Sequence, residues 1–235
     1  MDTNLLMTGA FWMGLVKIIW VNILLSGDNA VVIALAARSL QPSQQKHAIV
    51  WGSAAAIVLR VVLTIFAVKL LQLEWLKLIG ALLLLWIGVQ LLASEDDEAD
   101  IKQSGSLLGA IKTILIADLV MSLDNVLAVA AAADAAPAEA KLVLLVLGLA
   151  MSIPIVIFGS ALVLKLMERF PVVITLGAML LGWIAGEMAS SEPVVERWIH
   201  IDLILHFAFA SVGAALVLVV GRVMNARSAA RADGR

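Results

Sequence analysis

The chain has 235 residues, of which 63% are hydrophobic and 14% charged, with a mean hydropathy of +1.05. A soluble domain is about half apolar and about a quarter charged, so soluble, disordered and fibrous classes are excluded and a helical membrane protein is described. The net charge of −2 offers no basic field for nucleic acid. The absence of cysteine removes disulfides, thiolate metal sites and cysteine nucleophiles together.

A bilayer core of ~30 Å takes about 20 apolar residues per helix. In chain order seven stretches qualify: 11–37, 48–71, 75–93, 107–133, 142–166, 172–189 and 199–221. The first is long, is followed by further spans and lacks a basic leading segment, so it reads as a span rather than a signal peptide. The acidic stretch SEDDEADIKQSG at 94–105 reads as a solvated loop, with a cation-collecting vestibule as the alternative. The whole chain, 1–235, is then one membrane domain: 11–93, the loop at 94–106, 107–190, an extra helix at 199–221 and a basic tail at 222–235. With the first inter-helix loop on the cytoplasmic side, ten of the 16 lysines and arginines lie there and five lie opposite. This bias places the N-terminus outside and the C-terminus in the cytoplasm. Trp12, Trp75 and Trp198 then fall near outer helix ends, where interfacial tryptophans belong.

The first and fourth spans share a motif. Asn22-Ile-Leu-Leu-Ser-Gly-Asp28-Asn29 recurs as Asp118-Leu-Val-Met-Ser-Leu-Asp124-Asn125, and the third and sixth spans align Gly80 with Gly177, Trp86 with Trp183 and Gln90 with Glu187. Each copy holds three spans, so the second must enter the membrane from the opposite side. The fold class is therefore all-α, with two inverted three-helix repeats and a seventh helix. Inverted repeats are the architecture of many secondary carriers, whose site lies near the midplane where the repeats meet.

Four carboxylates fall within spans, Asp28, Asp118, Asp124 and Glu187, together with one cation, Arg60. Each buried Asp or Arg costs ~2.5–3.5 kcal/mol on insertion scales, so the set demands neutralisation. If all ionise, a surplus of three negative charges remains, which a divalent cation reduces to one; protonation could replace the cation when it leaves. Carboxylate and amide oxygens are hard ligands suited to Mg2+, Ca2+ or Mn2+. Histidine for zinc is scarce, since His47 and His200 stand at helix ends and only His206 enters a span. Met121 beside the second motif either adds a thioether favouring Mn2+ or is simply a core or lipid-facing side chain.

At about 100° per residue, Asn22, Ser26 and Asn29 share one helix face, as do Asp118, Ser122 and Asn125, while Asp28 and Asp124 lie off it. Convergence on one ion requires distortion near each serine: Ser26-Gly27 is a natural break, and repeat symmetry leads to the same expectation at Ser122-Leu123. The candidate ligands are Asn22, Asp28, Asn29, Asp118, Asp124 and Asn125. Ser26, Ser122, Gln90, Glu187 and Arg60 are candidates for supporting or proton-coupling roles. Against these stand structural readings: Ser and Asn as hydrogen-bonding glue, Glu187 as a snorkelling residue, and Arg60 as the partner of a carboxylate holding helices together. Pro154 marks either packing or a hinge in the fifth span.

The paired (acid or amide)-x3-S-x-D-N motif, in NILLSGDNAVVIALAARSL and IADLVMSLDNVLAVAAAA, resembles the signature of the TerC family of integral membrane proteins. The resemblance covers the seven spans and stops at the arginine-rich tail. It implies membership of the wider LysE-like exporters and divalent metal transport, chiefly Mn2+ export, with tellurite resistance associated with some relatives. It also implies that Asp28, Asn29, Asp124 and Asn125 contact metal and that Asp118 is the upstream acid. Asn22 departs from the pattern, since many members have an acid there in both repeats.

The leading expectation is a multi-pass carrier of the bacterial plasma membrane that exports Mn2+, or another hard cation, in exchange for protons. It needs no resident cofactor and is not an enzyme. Two other classes compete. An intramembrane aspartyl protease would also use two embedded aspartates, but it resembles a Y-D plus G-x-G-D pattern that is absent here. A non-transporting membrane partner would instead hand metal to exported proteins beside the secretion machinery. A homo-oligomer is compatible with each.

Overall fold

A computed structural model describes residues 9–24, 27–70, 73–93, 106–134 and 141–233. Among these the chain is all-helical, in the order α1 (Gly9–Leu24), α2 (Gly27–Arg38), α3 (Pro42–Leu70), α4 (Leu76–Ala93), α5 (Leu107–Asp134), α6 (Lys141–Arg169), α7 (Val172–Ser190), α8 (Pro193–Trp198) and α9 (Leu203–Asp233). Helix throughout is what a bilayer imposes, because each backbone N–H and C=O must find its partner within the segment. Five stretches of the described residues are long and apolar enough to cross a membrane: Pro42–Thr64, Leu76–Ala93, Val146–Arg169, Val172–Ser190 and Leu203–Arg227. The motif-bearing stretches coincide with α1 and α2, on either side of residues 25–26, and with α5.

Two expectations change. α5 is one uninterrupted α-helix through Ser122, so the distortion anticipated there is absent. Leu123 occupies the place that Gly27 holds in the first copy, and the Ser122 hydroxyl bonds to a side chain rather than loosening the backbone. The last helix also extends further than its apolar stretch, since α9 runs on through the basic tail to Asp233. Its Ala- and Arg-rich sequence is a good helix former without any tertiary support. α6 runs undivided through Pro154, whose ring faces outward.

The helices assemble in two groups. α7 packs on α9 and α4, and α4 also packs on α9. The motif helices form the other group: α3 lies along α5, while α6 lies along α1 and α2, and α4 and α7 join it through α5 and α2. Directions follow from close approaches. Gly52 of α3 meets Ile114 of α5 while Arg60 meets Asp118, so these two helices are parallel. Gly182 meets Gly213 and Gly186 meets Phe209 and Ala210, so α7 and α9 are antiparallel.

Both ends of α4 are held from outside. At its C-terminal end Arg38 Nη2 donates to the Leu91 carbonyl at 3.1 Å. At its N-terminal end Glu192, only 1% exposed, accepts from the backbone N–H groups of Trp75 at 3.2 Å and Lys77 at 3.0 Å. An acid at the N-terminus and a base at the C-terminus are the signs the helix dipole favours. The same carboxylate steadies Trp75, whose φ of 70° is a left-handed conformation that bulky residues avoid.

Candidate functional site

The polar centre of the motif bundle is built around Arg60, which is 3% exposed. Its Nη2 donates to Asp118 Oδ1 at 2.5 Å and its Nε donates to Ser122 Oγ at 3.1 Å. Ser122 Oγ in turn donates to Asp118 Oδ2 at 3.3 Å. The i, i+4 spacing of Asp118 and Ser122 puts both on the α5 face turned toward α3. Both oxygens of Asp118, expected among the metal ligands, are thus hydrogen-bonded within the protein. An unpaired charge at such depth would cost several kcal/mol, so each partner makes the other tolerable.

The first motif copy reaches the same place through α2. Asp28, in its first turn and half-buried, accepts the Asn29 backbone N–H on Oδ1 at 2.8 Å. It lies within electrostatic reach of both Arg60 and Asp118, and the Asn29 side chain beside it is buried. One guanidinium carried by a third helix therefore acts on acids of both motif copies, on Asp118 by direct contact and on Asp28 through space. About two turns before Arg60 on α3 lies Ser53. Its hydroxyl is buried with no hydrogen-bond partner among the described residues. A buried orphan oxygen of this kind is where water or a passing ligand is expected. No motif surrounds Ser53, and only its position relative to Arg60 could have drawn attention to it.

The other expected residues divide. Ser26 lies outside the described residues, as do the side chains of Asn22, Asp124 and Asn125, whose backbones belong to α1 and α5. Met121 packs into the hydrophobic core, which favours its structural reading. Gln90 is exposed. Glu187 sits at the α7–α9 seam, where Trp183 Nε1 donates to it at 2.9 Å and His206 Nε2 lies 3.8 Å away. Among the described residues no three His, Asp or Glu side chains come together as a metal cage.

An all-helical bundle with acids of a duplicated motif at its interior invites comparison with known membrane proteins. Residues 7–229 match the Integral membrane protein TerC family. The chain belongs to the TerC family. Among its relatives is the uncharacterized membrane protein YjbE of Bacillus subtilis, 43% identical over 178 residues that cover 76% of this chain and 79% of YjbE. The uncharacterized membrane protein YkoY of the same organism is 29% identical over 201 residues, covering 75% of this chain and 61% of YkoY. The UPF0053 inner membrane protein YgdQ of Escherichia coli K12 is 28% identical over 141 residues, covering 52% of this chain and 60% of YgdQ. No solved structure matches. As a TerC family member the chain is a multi-pass integral membrane protein.

Proposed function

We propose that the protein is a divalent-cation carrier of the bacterial plasma membrane, exporting Mn2+ by alternating access in exchange for protons. The observation that carries this reading is that Asp118 of one motif copy is paired with the buried Arg60 inside the helical bundle, while Asp28 of the other copy lies within electrostatic reach of both. A purely structural role would not need acids from both copies within reach of one buried cation, given what each costs to bury. Counting α1 and α2 as one span gives seven crossings, three in each half with α9 left over.

The packing supports an inverted pair of halves. α3, second in the first half, lies on α5, first in the second; α6, second in its half, lies on α1 and α2. The third helices, α4 and α7, meet each other. Exchanging the halves leaves this pattern unchanged, which is what a carrier with two equivalent inward and outward states requires. The bonds at the ends of α4 agree with seven alternating crossings. They put the C-terminal ends of α2 and α4 on one side, and the α3–α4 turn with the α7–α8 connection on the other.

In this reading Asp28 and Asp124, with Asn29 and Asn125 beside them, replace part of the cation's water shell with hard oxygens. When the cation departs, protons taken up by the same carboxylates remove the charge that would otherwise be stranded in a medium of low dielectric. The test is Mn2+ flux into liposomes holding the purified protein, followed with an internal dye and a pH gradient. Flux driven by the gradient is expected from the native protein, and background flux from Asp28→Asn and from Asp124→Asn. Native rates in both variants would retire the site assignment.

A further inference from the structure

Arg60 and Asp118 break the repeat symmetry together. Thr64 Oγ1 donates to the Arg60 carbonyl at 2.7 Å, and Ser160 Oγ donates to the Val156 carbonyl at 2.7 Å. Thr64 and Ser160 stand at the same displacement as Asp28 and Asp124, so Arg60 of α3 and Val156 of α6 are equivalent positions. The equivalents of Asp118 and Asn22 are likewise each other, by the motif itself. Where α3 lies on α5, the first half contributes a base and the second an acid. Where α6 lies on α1, the equivalent positions are a buried valine and an amide. One crossing carries both charges and the other carries neither. The missing acid at Asn22 and the missing base at Val156 therefore compensate each other, and each crossing is neutral.

Within the charged crossing the pairing is complete. Asp118 and Arg60 are 6% and 3% exposed, and both carboxylate oxygens are engaged. Ser122, one turn along α5 from Asp118, bonds to both members of the pair. Breaking such a pair by removing one partner is costly, whereas replacing both by neutral groups of similar size is not. We propose that Arg60 and Asp118 form a charge-neutral interlock between the halves that takes Asp118 out of the ligand set, leaving Asp28 and Asp124 as the two charges that balance one divalent cation. This rests on the metal-transport reading. The pair acts through its field at Asp28, which both members reach, and so it is a positioning element.

The consequence is a signature that simple structural support would not produce. Neutralising Asp118 alone leaves Arg60 unbalanced beside the cation site and lowers Mn2+ affinity. Neutralising Arg60 alone leaves an extra acid and raises it. Neutralising both restores it.

The experiment is Mn2+ titration of the purified full chain in detergent by calorimetry, with melting temperatures measured on the same samples. Asp118→Asn is expected to weaken binding about tenfold or more, Arg60→Val to tighten it about tenfold, and the double variant to return within about threefold of the native value. Should a single variant fail to fold, the double variant against the native protein decides alone. A folded double variant that binds about tenfold or more weaker overturns the proposal, because Asp118 is then a ligand. If the native protein binds no Mn2+, the transport reading fails, and the interlock is decided by the melting temperatures. A double variant melting near the native protein, above both singles, supports it; one melting as low as the singles' losses combined overturns it.

Discussion

Where α7 meets α9, backbone touches backbone; where α3 meets α5, a guanidinium touches a carboxylate. Gly182 and Gly213 face each other so closely that a methyl group on either would run into the other's carbonyl, and Gly186 lies against the Phe209 carbonyl and the Ala210 Cα. At the α3–α5 crossing the contact is made by long side chains. In a bilayer apolar faces gain little by leaving lipid for protein, so helices associate through close fit or through polar bonds. This molecule uses each means in a different half of the bundle. The glycine seam is specified by shape and admits no side chain of any chemistry. The ion pair is specified by charge and admits neutral replacements, provided both members change. The ion pair sits among the motif helices, while α9 is held against α4 and α7 as a frame.

Breaking the seam should have the largest effect. Gly186→Leu would drive a side chain into backbone atoms that have no rotamer to retreat to, so α7 and α9 must part. We expect a loss of about 4 kcal/mol or more, read as aggregation on size-exclusion chromatography in detergent. Gly186→Ala already places the offending Cβ and should lower the melting temperature clearly. The double Arg60→Val, Asp118→Asn protein should migrate as the native one does. If the two interfaces responded alike, the distinction between shape and charge would be lost.

A middle-sized effect is expected at Glu192, a polar device inside the shape-specified half. Its backbone carbonyl accepts the first N–H groups of α8, from Val195 at 2.9 Å and Glu196 at 3.1 Å. Its side chain serves α4. Glu192→Ala leaves the α4 N-terminus without its cap and frees Trp75 from its left-handed turn, a cost of about 2 kcal/mol. Glu192→Gln keeps one acceptor oxygen and should recover much of that in thermal unfolding. A melting point unchanged in Glu192→Ala would mean that α4 is positioned by its glycine contacts alone.

Part of this architecture is legible in the sequence, and the rest is not, for definable physical reasons. Helix boundaries were legible to within a few residues for 75–93, 107–133 and 172–189, because spans end where polar residues begin. The start of α3 at Pro42 is not legible, since PSQQKH is polar and yet forms the helix's first turns. That Arg60 would find a carboxylate was readable, because a lone buried cation has few alternatives. Which carboxylate it would find was not readable, because that depends on α3 and α5 running side by side. The Gly182, Gly186 and Gly213 seam left no trace in hydropathy, which is uniformly high on lipid-facing and protein-facing sides alike. Nothing local marks Glu192, since its partners lie more than a hundred positions earlier in the chain. The break expected in α5 was borrowed from the first copy, whereas Gly27 has no counterpart there.

The smallest effect is expected at Glu187, which tests whether charge contributes anything to the glycine seam. Its carboxylate takes the Trp183 indole N–H at 2.9 Å and stands 3.8 Å from His206 across the seam, with both side chains about a third exposed. The Ser190 hydroxyl adds a bond to His206 Nδ1 at 2.7 Å. Partly exposed pairs of this kind contribute about 0–1 kcal/mol, and a glutamine at 187 can still accept from the indole. Glu187→Gln should therefore shift the melting temperature by no more than a few degrees. Its sequence counterpart Gln90, already neutral and exposed on α4, shows that the equivalent position needs no carboxylate for its helix to pack. The discriminating measurement is Mn2+ flux at several pH values in liposomes. A profile identical to the native one assigns Glu187 to the frame. A shifted profile with unchanged stability would instead put a proton-carrying residue on the seam and couple the seam functionally to the motif helices.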